Sequence, residues 1–382
     1  MLDISKKKLY YWSPGFVHIA TFKAVINSAN SIDKYSYNYE SSLINFFGEF
    51  NQYKEIIDKK KIKLINLFNE NILNNLPKFG RIRSRISFLI IFIISFFPLK
   101  KLLKNEKPEF LIIHLVSSLP LVLLILFKFK TKFILRISGY PKLGFVRRML
   151  WKIAFKKIYA VTCPTNLTKE KLLKLNIVDE KKLFILYDPI IELKNKKKVR
   201  TEKKDYFFSV GRLTKQKNFL FLCKCIKIIR DKFDNKIKLV IAGEGEDRNL
   251  IQNYIKNNKL EENIKLIGYK KEIHNYYLEA KATIVSSLWE DPGFVLIEAG
   301  YYRSLIISSN CESGPKELIK KNNNGILFES NNINSFIKEY QKYLNLSQKD
   351  IQSMITENLK KVRLFTLFNH YKNFNQILMP QK

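Results

Sequence analysis

The chain has 382 residues, 46% apolar and 13% aromatic, enough to fill the cores of two domains or one large one, which excludes disorder, collagen-like sequence and disulfide-stapled miniproteins. Its formal net charge of +34 is of the kind that points to nucleic acid or an anionic membrane surface. The basic residues are 56 Lys and 12 Arg beside 34 Asn, so part of the excess reflects composition; it is also uneven, with 33 basic against 12 acidic residues up to position 187 and 35 against 22 beyond.

In chain order, Lys6 to Lys8 lead into Leu-Tyr-Tyr-Trp-Ser-Pro and not into a continuous apolar core, so no secretory signal is expected. The first loop after this stretch carries His18. Residues 86–99 (ISFLIIFIISFFPL) and 110–127 (FLIIHLVSSLPLVLLILF) are membrane-like. The first is too short to span, since the hydrocarbon layer takes about 20 apolar residues. It reads either as a buried helix or, flanked by Arg81, Arg83, Arg85 and by Lys100, Lys101, Lys104, as an interfacial helix. The second is broken by His114, Ser117, Ser118 and Pro120 and reads as a buried strand followed by a buried helix.

Short apolar stretches at 62–67, 110–116, 132–137, 158–163 and 183–187 predict strands alternating with helices, and the rhythm returns at 206–210, 237–242, 264–268, 282–286, 305–309 and 325–328. Between the two series, 188–205 (DPIIELKNKKKVRTEKKD) is polar and reads as a linker. Two doubly wound α/β domains with parallel sheets follow, 1–187 and 206–382, with the last helix able to pack back on the first domain. Ligands of such sheets sit at the carboxyl ends of the strands, so a cleft between facing domains is the expected active site.

Residues 206–218 (YFFSVGRLTKQKN) predict a strand, a turn at Gly211 and a helix start. Arg212 and Lys217 then stand near a helix N-terminus, where a guanidinium and an ammonium suit a diphosphate. The plainer alternative is two solvated charges. Cys223 and Cys225, two apart on the next helix, do not face each other, so no metal site is expected; with Cys163 and Cys311 they form no regular framework, which points to a reducing compartment. Gly243-Glu244-Gly245 reads as an ordinary strand-to-helix turn.

Residues 284–300 (IVSSLWEDPGFVLIEAG) carry the most information. Asp291 is the predicted N-cap and Pro292 the first helical residue, which leaves Glu290 in the preceding loop and Glu298 two turns inside the helix. Gly293 permits close backbone approach, and the amides of Gly293, Phe294 and Val295 are donors for hydroxyl or phosphate oxygens. A further turn places Gly314 and Glu317 on the ligand side of the sheet. His18, His114, His274 and His370 read as structural, with His18 the most exposed to a functional role because of its loop.

Together GRLTKQKN, IAGEGE, IKLIGY, WEDPGFVLIEAG and GPKELI resemble the nucleotide-sugar glycosyltransferases of family 4. A looser likeness of WSPGFVHIATFKAVINSA, LRISGYPKLGFVRRMLW and VTCPTNLT extends to a bacterial surface-polysaccharide branch. The resemblance implies the GT-B fold and retaining sugar transfer from a nucleotide-diphosphate sugar to a glycan or polyprenyl-linked acceptor, with no cofactor and no metal. It assigns Arg212 and Lys217 to the donor diphosphate, Glu298 to the ribose, and Glu290 with the Gly293 and Phe294 amides to the sugar. The sequence departs from the pattern at Glu290-Asp291-Pro292-Gly293 and at Pro14-Gly15-Phe16-Val17-His18, and Arg136, Ser138 and Gly139 stand where an acceptor-side histidine is often found. Competing readings are an epimerase or hydrolase of the same fold, and a basic nucleic-acid- or membrane-binding protein without catalysis; no basic-aromatic interleaving supports nucleic acid. Peripheral attachment to the inner face of an anionic membrane is expected from the charge clusters.

Overall fold

The computed structural model describes residues 6–15, 20–68, 83–139, 141, 143–193 and 202–379. The chain divides into two compact units, Met1–Glu192 with Phe365–Lys382, and Leu193–Leu364. His18, Arg81 and residues 194–201 of the expected linker lie outside the described residues.

The first unit runs β1 (Lys7–Trp12), α1 (Ala20–Tyr35), β2 (Tyr39–Asn45), α2 (Lys54–Lys59), β3 (Lys63–Asn66), α3 (Arg83–Glu106), β4 (Phe110–Ile113), α4 (Ser118–Leu126), β5 (Lys132–Arg136), α5 (Phe145–Lys157), β6 (Ala160–Cys163), α6 (Asn166–Leu173) and β7 (Leu183–Ile185). Its seven strands pair in the order β3-β2-β1-β4-β5-β6-β7, all parallel. Strands such as Phe110–Ile113 are buried at every position, as a sheet covered on both faces requires. One face packs on Ile91, Leu99, Leu123, Trp151 and Phe155 from α3, α4 and α5. The other packs on Phe22, Val25 and Ile26 of α1 and on Phe374 and Ile377 near the chain's end.

The second unit runs β8 (Phe207–Val210), α7 (Phe219–Lys232), β9 (Leu239–Ala242), α8 (Arg248–Asn257), β10 (Ile264–Leu266), α9 (His274–Glu279), β11 (Thr283–Val285), β12 (Trp289–Glu290), α10 (Phe294–Tyr301), β13 (Ile306–Ser309), β14 (Glu312–Ser313), α11 (Gly314–Leu318), β15 (Ile326–Phe328), α12 (Ile333–Leu344) and α13 (Gln348–Val362). Six strands form a parallel sheet in the order β10-β9-β8-β11-β13-β15, and β12 pairs with β14 separately. The last helix, α14 (Leu367–Leu378), belongs to the first unit.

The last helix packs on the first unit, where Phe374 and Ile377 are core residues, so the second unit ends at Leu364. Two boundaries differ from the sequence expectation. The linker does not begin at 188: Asp188, Ile190 and Ile191 are buried in the first unit, and Ile191 bridges to Thr366. The helix containing 86–99 continues through Pro98 to Glu106, so by length and composition Ile86–Glu106 suffices to cross a membrane. Ile91, Leu99 and Leu103 are nevertheless packed into the core of the sheet, which fixes the helix to the protein.

Candidate functional site

The strand order reverses direction between β8 and β11, and in open parallel sheets ligands bind beyond the strand ends at such a switch. The loops after β8, β11 and β13 all leave that edge, and those after β8 and β11 bring Lys217 and Glu290 together.

The first loop opens at Gly211, whose φ is +154°. A Cβ on Gly243 would stand 1.9 Å from the Gly211 carbonyl oxygen, so the turn after β9 is glycine because a second backbone lies against it. Gly211 N–H donates to Ala242 O at 3.0 Å and Leu213 N–H to Glu244 O at 2.9 Å. The Gly243-Glu244-Gly245 turn therefore braces the Arg212 loop. Arg212 is exposed, and its guanidinium has no partner among the described residues. Helix α7 begins only at Phe219, after Asn218 in the left-handed region, so Lys217 stands just before the helix. The buried Thr214 hydroxyl between these two cations also lacks a partner among the described residues; sequence reasoning passed over it.

Lys217 turns back to form an ion pair with Glu290, its Nζ donating to Oε1. The two residues are 73 positions apart, and their side chains are 14% and 7% exposed. The same carboxylate oxygen accepts from Ser287 Oγ at 2.6 Å, and the Ser287 carbonyl accepts from Ser309 Oγ at 2.6 Å. Gln216 Nε2 donates to Trp289 O at 2.9 Å, and Leu288 N–H to Gln216 O at 2.8 Å, so the two loops are stitched by backbone as well as by charge. Glu290 is not in a loop: it occupies β12, opposite Ser313 of β14. Close by, burial pushes the Cys311 thiol up to about 11, with the Glu290 charge adding to the shift and Lys217 and Lys316 opposing it.

Helix α10 starts at Phe294 with Gly293 as N-cap at φ +90°, not at Pro292 with Asp291 as cap. Gly314 explains the shift, since a Cβ there would lie 1.7 Å from the Pro292 carbonyl oxygen; the chain at Pro292 is pinned against the start of α11 and turns into a helix only beyond it. The first-turn amides, Phe294 and Val295 included, are the orphan donors of this helix. Glu298 consequently sits little more than one turn inside α10. Its Oε2 accepts from Tyr277 OH at 3.1 Å. Tyr277 is buried and stacks on Tyr302 at 5.6 Å; burial, and then the Glu298 charge, hold its phenol well above the ordinary value. Glu317 is half-buried on α11. Gln216 and Ser287 lie inside GRLTKQKN and IVSSLWEDPGFVLIEAG without having been singled out, and Tyr277 lies outside every quoted stretch.

The acceptor-side candidates fare differently. His18 lies outside the described residues. Arg136 is buried and forks onto Asp188, Nη2 to Oδ2 at 2.6 Å and Nε to Oδ1 at 3.2 Å, while Nη1 donates to the Ile137 carbonyl. That places it in the frame holding the end of the first unit. Ser138 and Gly139 follow β5 half-buried. His114 directly follows β4 at this unit's own switch, between β1 and β4, with its backbone N–H on Trp12 O at 2.9 Å. Burial first, then Arg136 and His370, keep its imidazole neutral far below the usual range. His370 is structural, as expected: Nδ1 donates to Tyr187 O at 2.7 Å, so Nε2 accepts from Ser28 Oγ at 2.7 Å, and Ser28 in turn meets Tyr11 OH at 3.0 Å.

Residues 191–362 match the family model for glycosyl transferases group 1. An uncharacterized glycosyltransferase of Methanocaldococcus jannaschii is 29% identical over 305 residues, covering 74% of this chain and 71% of that protein. A UDP-Gal:alpha-D-GlcNAc-diphosphoundecaprenol alpha-1,3-galactosyltransferase of Escherichia coli is 29% identical over 304 residues, covering 70% of this chain and 76% of its own. Among solved structures, TarM of S. aureus in complex with fondaparinux, alpha-GlcNAc-glycerol and UDP superposes with a TM-score of 0.77 over 98% of this chain and 100% of that chain at 14% identity. The fold is GT-B, and the match to the group 1 glycosyl transferase model takes in the second unit.

Proposed function

We propose that this chain is a retaining glycosyltransferase that moves a sugar from a uridine-diphosphate donor to a polyprenyl-linked glycan at the inner face of a cytoplasmic membrane, in surface-polysaccharide assembly. The observation that carries this reading is the meeting of Lys217 and Glu290 at the switch between β8 and β11, beside the unpartnered Arg212, within the stretch that matches the family model. The relatives contribute the substrate class: one uses UDP-Gal and a diphosphoundecaprenol-linked acceptor by its name, and a structural neighbour holds UDP.

In this reading Arg212 and Lys217 lie along the diphosphate and stabilise the charge that grows as the bond from the anomeric carbon to the phosphate oxygen breaks, a role for fixed donors that need no reorganisation. Glu290, tied by Lys217 and Ser287, faces the sugar with the amides at the start of α10. Glu298, held by Tyr277, takes the ribose hydroxyls. The acceptor oxygen bonds to the anomeric carbon on the face the phosphate leaves, and its proton passes to the departing phosphate oxygen. The cations of the loop after β8 provide the counter-charge, so the scheme calls on no metal.

The test is turnover of UDP-sugars with and without a polyprenyl-diphosphate-linked acceptor, with the anomeric configuration of the product read by NMR. UDP release that depends on acceptor, with the donor's α configuration kept, is the expected result. An isomerised donor or free sugar without acceptor would make the protein an epimerase or hydrolase, and an inverted product would remove the retaining assignment.

A further inference from the structure

On the first unit, α3, α4 and α5 lie along one face of the seven-stranded sheet and feed one buried cluster. Helix α3 is apolar nearly all round, but burial divides it. Ser87, Ile91, Ser95, Leu99 and Leu103, each four residues on from the last, are at most 1% exposed and face the sheet. Ile86, Leu89, Ile93 and Phe97 on the opposite side are 49–71% exposed, and Lys100 and Lys104 continue that side for two more turns. Helix α5 repeats the design: Trp151, Ala154 and Phe155 are buried, whereas Phe145, Val146, Met149 and Ile153 are exposed, the first two by about 80%. Exposed apolar side chains gathered in this way on two helices of one layer mark a contact surface.

The charge identifies the occupant. Helix α5 carries Arg147, Arg148, Lys152, Lys156 and Lys157 and no acidic residue, and the exposed side of α3 ends in lysines. Two copies of so basic a face would repel each other, whereas an anionic bilayer matches both its apolar and its cationic parts. A spanning role for α3 conflicts with its buried stripe, because extraction into lipid would strip Ile91, Leu99 and Leu103 from the sheet core.

We propose that the outer faces of α3 and α5 form one docking surface that enters the interfacial layer of an anionic bilayer, apolar side chains among the upper acyl chains and lysine and arginine heads at the phosphates. Both helices follow a parallel strand and return antiparallel to it, so each begins at the carboxyl edge of the sheet. The exposed apolar residues occupy the early turns of each helix and the lysines dominate the later ones. Docking by this face therefore sets the ligand-binding edge of the first unit at the membrane, where a lipid-linked acceptor would enter; this orientation, unlike the docking itself, rests on the proposed function.

The experiment is sedimentation of the full chain with vesicles of phosphatidylglycerol and phosphatidylcholine, or of phosphatidylcholine alone, at low and high salt. The wild type should bind the anionic vesicles, more weakly at high salt. Two triple variants, Leu89→Ser/Ile93→Ser/Phe97→Ser and Phe145→Ser/Val146→Ser/Met149→Ser, should each lower partitioning by about tenfold or more and keep wild-type circular dichroism and thermal midpoint. Unchanged binding by either variant, or no binding of the wild type to anionic vesicles at low salt, overturns the proposal. So does resistance to alkaline carbonate, which would make α3 a spanning segment, or self-association abolished by the triple variants, which would make the face a dimer interface. No sugar donor enters this assay, so its failure leaves the transferase reading standing and the converse also holds.

Discussion

The two units share a parallel sheet with a direction switch, yet they dispose of their charged residues in opposite ways. In the second unit the loops at the switch keep cations within reach of solvent: Arg212 is exposed, and Lys217 is paired but not sealed. In the first unit the polar groups near the same edge are interior. Arg136, Asp188, Glu49 and His370 are each no more than 5% exposed and are satisfied by one another, by nearby backbone or by Ser28, while Lys101, Lys152 and Lys156 stand exposed on the outer helices α3 and α5. The same architecture leaves a cation exposed at the switch of one unit and locks charge into a buried frame in the other.

Removing one arginine from each unit is the strongest way to break this contrast. Arg212→Ala should lower turnover by about a hundredfold or more, as loss of one preorganised donor does, and leave thermal stability unchanged. Arg136→Ala strands the buried Asp188 carboxylate and should instead destabilise the first unit by about 3–5 kcal/mol. Turnover and thermal unfolding measured on both variants decide the matter. An Arg212→Ala protein with wild-type turnover would remove the diphosphate assignment, and an Arg136→Ala protein of wild-type stability would remove the framework role of Arg136.

A second difference is in proton linkage. The Glu49 carboxyl accepts from Phe46 N–H at 3.0 Å and Phe47 N–H at 2.6 Å, but burial outweighs these bonds and pushes it up to about 7. Its contribution is complete below the ordinary carboxyl range and is lost as pH rises to 7. His370 is held down to about 4, chiefly by burial; it supports the fold above about 6.5 and withdraws support as pH falls to 4. Each shift amounts to about 3 kcal/mol, and the two oppose each other between pH 4.5 and 6.5. His114, also held neutral by burial, adds to the histidine side, so stability to urea should rise with pH in the wild type across that window. In Glu49→Gln the opposing carboxyl is gone and the rise should be steeper. A flat profile in the variant would mean that His370 is not the buried neutral group its partners make it.

Much of this was legible in the chain, and the reasons differ by region. Strands such as Phe110–Ile113 and Leu239–Ala242 announce themselves because burial on both faces demands unbroken apolar runs. Strand β2 (YESSLIN) did not, since Ser41 and Ser42 break its apolar run although both are buried: Ser41 Oγ donates to Asp33 Oδ2 at 2.7 Å. In the second unit the motif residues were readable, but Asp291-Pro292 looked like a helix start because the approach of Gly314 to Pro292 is a tertiary fact. The division of α3 into a buried and an exposed side was hidden for the opposite reason: both sides are apolar, so no periodicity separates them. Arg136 and Tyr277 were invisible as framework residues because their partners, Asp188 and Glu298, lie 52 and 21 positions away.

That last pair supplies the smallest effect and the finest test of how the second unit holds its ligand. Glu298 is assigned to the ribose and Glu290 to the transferred sugar, so Glu298→Gln should weaken binding of UDP itself, whereas Glu290→Gln should weaken the donor and spare UDP. Tyr277 touches neither part of the donor in this scheme; it orients Glu298 through one hydrogen bond to a charged group, worth about 1.5–3 kcal/mol at most. Tyr277→Phe keeps the ring stacked on Tyr302 and removes only that bond. We expect a rise of about three- to tenfold in the Kd for UDP and in KM for the donor with kcat unchanged, a smaller loss than in Glu298→Gln. The double variant should be little worse than Glu298→Gln alone, because the tyrosine acts through the glutamate. Calorimetry with UDP on the four proteins checks each step. Equal loss of UDP affinity in Glu290→Gln and Glu298→Gln would merge the two roles, and additive losses in the double variant would give Tyr277 a contact of its own.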